Sequence, residues 1–70
     1  MSVAQDEATL RVIEHYAQQT GHAPSVRDIA VILGLSVSRT HTVLYGLREQ
    51  GRVSWTPGMS RTLVVTEPVA

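Results

Sequence analysis

Seventy residues without a cysteine make one small domain with no disulfide and no thiolate metal ligand to draw on. The formal charges sum to zero but are unevenly placed: residues 1–20 carry Arg11 against Asp6, Glu7 and Glu14, a balance of −2, while residues 34–62 carry Arg39, Arg48, Arg52 and Arg61 against Glu49, a balance of +3. No apolar run approaches the ~20 residues of a bilayer span, and the start MSVAQDEATL lacks the basic and apolar stretches of a signal peptide, so a cytoplasmic protein with no membrane partner is expected.

Ser2 and Gln5 have the spacing of a capping box that opens a first helix. Leu10, Ile13 and Ala17 recur at helical spacing, flanked by Val12 and Tyr16. Gly21 predicts the end of that helix as a left-handed terminator, and His22-Ala23-Pro24 a short extended connection. Ser25 and Asp28 repeat the capping-box spacing for a second helix, whose apolar face is Val26, Ile29, Ala30 and Leu33. Gly34 stops it, and Leu35 is expected to plug the core at the turn. Ser36 caps a third helix that runs to about Gln50, with Gly51 as terminator.

Beyond Gly51 the period changes from helical to alternating. Val53 and Trp55 alternate with polar residues, Pro57-Gly58-Met59-Ser60 reads as a turn, and Leu63 and Val65 resume the alternation. Trp55 is expected to cover the core from this hairpin. The fold class is therefore mainly α with a small β-hairpin: a winged helix-turn-helix of three helices plus a wing, spanning 1–66, with 67–70 as a frayed tail.

Stepping about 100° per residue along the third helix puts Thr40, Val43, Leu44 and Leu47 on one stripe. Ser38, Thr42, Tyr45 and Glu49 fall opposite, with Arg39 and His41 on the flanks. The outward segment reads S-V-S-R-T-H-T, poor helix material on the propensity scale. Small hydroxyls allow close approach to DNA, and Arg39 has the planar fork that suits a guanine edge. Ser36, Ser38, Arg39, His41, Thr42 and Tyr45 are thus candidate DNA-binding residues, with Tyr45 able to pack on the wing instead. Ser25 and Arg27 open the second helix, where free N–H groups attract phosphate. Ser60 and Arg61 form a basic wing tip suited to phosphate or minor-groove contact.

The run GHAPSVRDIAVILGLS, the spacing of Leu44, Leu47 and Gly51, and the wing element PGMSRTLVV resemble the N-terminal DNA-binding domain of the LexA repressor family. The resemblance covers Val3 to Thr66. It rests on T-G-x-x-P at Thr20 to Pro24, I-A-x-x-L-G at Ile29 to Gly34, and G-x-S-R at Gly58 to Arg61. It implies that the third helix reads an operator and the wing meets the backbone, with contacts from Ser36, Ser38, Arg39, His41, Thr42, Ser60 and Arg61. The turn before Ser36 is one residue shorter than in that family, and the recognition helix differs, so a different operator is expected. The family's C-terminal self-cleaving domain carries a Ser–Lys dyad, and with no lysine in this sequence self-cleavage is not expected to transfer. The size is similar to that of small regulators of phages and mobile elements.

His15, His22 and His41 lie on different elements, which argues against a metal site. No nucleophile–base constellation or phosphate-binding glycine loop is present, so neither an enzyme, a cofactor nor a small-molecule substrate is expected. The leading reading is a sequence-specific double-stranded DNA-binding protein, a transcriptional repressor, with helix 36–50 in the major groove and wing 52–65 on the backbone, acting as a homodimer or with a second protein. The alternative is a protein-interaction winged helix that blocks a host factor, favoured by neutral charge and by Val37, Tyr45 and Val64 on outward positions.

Overall fold

The computed structural model describes residues 3–66; the Ser2 cap and the 67–70 tail lie outside them. Helix α1 covers Val3–Thr20. Leu10 and Ile13 are buried from it, and the buried Thr9 hydroxyl donates to the Gln5 carbonyl at 2.8 Å. The helix ends as its sequence predicts: Gly21 has φ +80° and donates its N–H to the Ala17 carbonyl.

Helix α2 covers Val26–Leu33 and opens on a complete capping box: the Ser25 Oγ accepts the Asp28 N–H, and the Asp28 carboxylate accepts the Ser25 N–H, both at 3.0 Å. Gly34 closes it at φ +69°, and the next N–H, from Leu35, returns to the Ala30 carbonyl. Leu35 is half-buried but stands outside the central cluster, where Leu33 packs instead. Helix α3 covers Val37–Glu49, with Ser36 as N-cap accepting the Arg39 N–H. Helices α2 and α3 meet at 107°, within the ~90–120° of a helix-turn-helix.

The wing differs in length from its sequence pattern. Strands β1, Val53–Ser54, and β2, Val64–Val65, pair antiparallel in the register Val53↔Val65 and Ser54↔Val64. The ladder stops before Trp55 and Leu63 because the Thr56 N–H finds the Thr62 hydroxyl at 2.9 Å in place of a cross-strand carbonyl. The turn lies one residue earlier than expected. The Met59 N–H donates to the Thr56 carbonyl across Pro57 and Gly58, and Gly58 takes φ +79°. Proline followed by a left-handed glycine is the type II pattern.

The core joins all three helices to the wing: Leu10 and Ile13 from α1, Ile29 from α2, Val43, Leu44 and Leu47 from α3, then Val53 and Leu63. An ion pair between Arg52 and Glu7 ties the approach to β1 back onto α1. No single helix among the described residues is long and apolar enough to cross a membrane.

Candidate nucleic-acid interface

The faces of α3 separate cleanly. Thr40, Val43, Leu44 and Leu47 are buried, whereas Ser36, Val37, Ser38, Arg39, His41, Thr42 and Tyr45 are exposed. A four-residue apolar stripe drawn into the core forces the opposite side of so short a helix into solvent. The hydroxyls on that outer side are not equivalent. Thr42 donates to the Ser38 carbonyl at 3.2 Å, so its free lone pairs present an acceptor outward. The Ser36 Oγ accepts from Arg39, so its proton remains available to donate.

Aromatic rings link this face to the wing. His41 stacks with Tyr45 at 6.1 Å, and Tyr45 stands edge-on to Trp55 at 5.4 Å. The Arg48 guanidinium lies 4.5 Å from the centre of the Trp55 ring. Tyr45 therefore packs on the wing root while remaining 54 % exposed. Trp55 is half-buried against the core, as its alternation with Val53 suggests. Between α2, α3 and the wing lies a crevice of about 170 Å³ bordered by Ser25, His41, Trp55, Ser60 and Arg61.

The arginines of the basic half each have an internal partner. Arg39 Nη2 donates to Gln5 Oε1 at 3.4 Å, Arg48 covers Trp55, and Arg52 pairs with Glu7. Arg61 reaches furthest back: its Nη1 donates to the Ala23 carbonyl at 3.0 Å and lies 3.1 Å from His22 Nδ1 and 3.4 Å from Asp28 Oδ2, three partners sharing its two N–H groups. Arg61 is also the non-glycine residue with left-handed backbone, φ +59°, among the described residues. A side chain rarely tolerates that region unless surrounding contacts hold it there. Ser60 beside it is exposed, and so is Arg27, which forms no ion pair among the described residues. Ser25 spends its hydroxyl acceptor and its N–H on the capping box.

The charges at this corner reinforce one another. The Ser25 N–H holds the Asp28 carboxyl below its ordinary pKa, with the Tyr16 hydroxyl and Arg61 adding to the effect. The Tyr16 hydroxyl and then Asp28 push the Arg61 guanidinium further up. The sequence alone does not reveal the partners of these arginines. The one local clue is the Asp28 carboxylate, which a capping box leaves at the surface in want of a cation.

Residues 1–62 match the family model of the LexA DNA-binding domain. The chain is 33 % identical over 57 residues to the LexA repressor of Thermosipho melanesiensis, covering 81 % of this chain and 29 % of that protein. It is 32 % identical over 65 residues to the LexA repressor of Cellvibrio japonicus, covering 91 % of this chain and 32 % of that one. The chain thus spans about a third of the length of the curated relatives it matches. With that match over most of its length, the chain belongs to the LexA DNA-binding domain family.

Proposed function

We propose that this domain is a non-enzymatic, sequence-specific reader of double-stranded DNA that serves transcriptional repression in the cytoplasm. Helix α3 enters the major groove; Ser36, Ser38, Arg39, His41, Thr42 and Tyr45 face the bases and flanking phosphates. Ser25 and Arg27 approach the backbone from α2, and Ser60 from the wing. The observation that carries this reading is the outward face of α3: small hydroxyls, a histidine and an arginine, all exposed, opposite a fully buried stripe. A solvated face with no partner is ordinarily filled with strong helix formers, whereas short hydroxyl side chains suit close approach to base edges. Helix α3, about 10–12 Å across with its side chains, matches a groove about 12 Å wide. A single domain offers few base contacts, so two copies on paired half-sites complete the operator.

Selection from a random duplex pool, followed by titration at several salt concentrations, tests this reading. Enrichment of a motif with paired half-sites, and log K falling with log salt at a slope of about −2 per bound domain, are expected if Arg27 and Arg39 both meet phosphates. A second reading, docking of a protein on the outer side of α2, is favoured by Val31 and Ile32, which are 77 % and 54 % exposed. Absence of any salt-sensitive DNA binding at tens of micromolar would decide for it.

A further inference from the structure

The wing has little sheet of its own. Two residue pairs form its ladder, and the intervening segment is braced by Thr62, whose hydroxyl meets the Thr56 N–H and the Met59 carbonyl. At the far side of that segment Arg61 turns back towards the α1–α2 corner. Its Nη1 meets the Ala23 carbonyl, His22 Nδ1 and Asp28 Oδ2 together. The same Asp28 oxygen accepts the Ser25 N–H, so one carboxylate oxygen joins the cap of α2 to the wing. Turning Nη1 to a phosphate would break its contacts with the carbonyl, the imidazole and the carboxylate together.

We propose that Arg61 is a positioning residue: it clasps the wing to the first turn of α2, and DNA meets the wing in the attitude this clasp sets. The inference rests on the DNA-binding reading and replaces a direct phosphate contact by Arg61. The two roles differ in sign at Asp28. If Arg61 bound phosphate, Asp28→Asn would remove a repelling charge, free the guanidinium and tighten DNA binding. With Arg61 as a clasp, the same substitution loosens the wing and weakens binding. They differ again in Arg61→Lys, because an ammonium replaces a phosphate contact as a point charge, whereas its shorter side chain lacks the guanidinium plane that carries Nη1 to the Ala23, His22 and Asp28 acceptors.

The test compares the unaltered domain with Arg61→Ala, Arg61→Lys, Asp28→Asn and the Arg61→Ala/Asp28→Asn double variant. Without DNA, amide exchange is read at Thr56 and Thr66, whose N–H groups bond Thr62 Oγ1 and the Arg52 carbonyl. Exchange is expected to quicken several-fold in every variant, the double variant matching Arg61→Ala alone. With a selected duplex, affinity is expected to fall about tenfold in Arg61→Ala with the salt slope unchanged, since loss of one phosphate contact would reduce the slope by about 0.9. Unchanged exchange in Arg61→Ala, tighter binding in Asp28→Asn, or a reduced slope restored by Arg61→Lys would each overturn the clasp. If the unaltered domain binds no duplex, the DNA-binding reading fails and the exchange arm alone decides the clasp.

Discussion

Thr40 donates its fully buried hydroxyl to the carbonyl of Ser36 at 2.9 Å. The polar member of the α3 stripe is therefore satisfied inside its own helix. The Ser36 carbonyl also accepts the Thr40 N–H at 3.0 Å, so it keeps a partner if the hydroxyl is removed.

Thr40→Val should accordingly stabilise the domain slightly, by up to about 1 kcal/mol, because a methyl replaces a hydroxyl whose acceptor remains paired. Thr40→Ser, which deletes the buried methyl and keeps the bond, should destabilise by about 1 kcal/mol. Urea unfolding followed by circular dichroism measures both; a marked loss in Thr40→Val would show that the hydroxyl bond matters more than its geometry suggests.

Leu47 is wholly buried where α3 meets the rest of the core. Leu47→Ala should cost about 2–5 kcal/mol, enough to unfold much of a domain this small at 25 °C. A cooperative thermal transition left at its original midpoint would contradict that placement.

Stability should fall at acid pH through Asp28. Its pKa is lowered in the folded state, chiefly by the Ser25 N–H. The unfolded chain therefore binds the proton more readily, so this stabilisation is complete above the ordinary carboxyl pKa of 3.8 and is lost as pH drops through the lower, folded value. Asp28→Asn should flatten this acid limb. Chemical denaturation between pH 7 and pH 2 compares the two curves, and parallel curves would count against the assignment. Ser25→Ala, which removes the other half of the capping box, should cost about 1 kcal/mol at neutral pH.

His22 Nδ1 must act as acceptor, since the guanidinium of Arg61 has only donors to offer it. When neutral, His22 should therefore carry its proton on Nε2. Long-range proton–nitrogen spectra at alkaline pH resolve the tautomer, and Arg61→Ala should let the Nδ1–H form appear, with the Ala23 carbonyl at 3.2 Å ready to accept it.

Arg39→Ala should relax base preference at one position of the operator, losing about 1–3 kcal/mol of discrimination if the side chain takes a guanine edge. The competing Gln5 contact is exposed and 3.4 Å long, weak enough for DNA to displace. Selection with the variant domain reports this directly, and an unaltered motif would assign Arg39 to the backbone.

Features set by near neighbours in the chain were legible before the fold was known. The Ser25–Asp28 box, the glycine terminators and the Thr40–Val43–Leu44–Leu47 stripe all depend on spacings of three or four residues. The length of the wing strands was not legible, because a side chain, Thr62, takes the place of a backbone acceptor. The partners of the arginines were hidden for a different reason. Arg39 and Gln5 stand 34 residues apart, and Arg61 and Asp28 stand 33 apart; such pairs meet only once the helices have packed.

That internal pairing has a consequence for search along a genome. On the proposed DNA-binding reading, cations already paired with Glu7 and Asp28 exert only a muted pull on arbitrary duplexes, where attraction depends almost wholly on phosphate neutralisation. Loose, wandering association is thereby kept faint, and the ratio between the right address and the multitude of wrong ones widens without any gain in the tightness of the final complex.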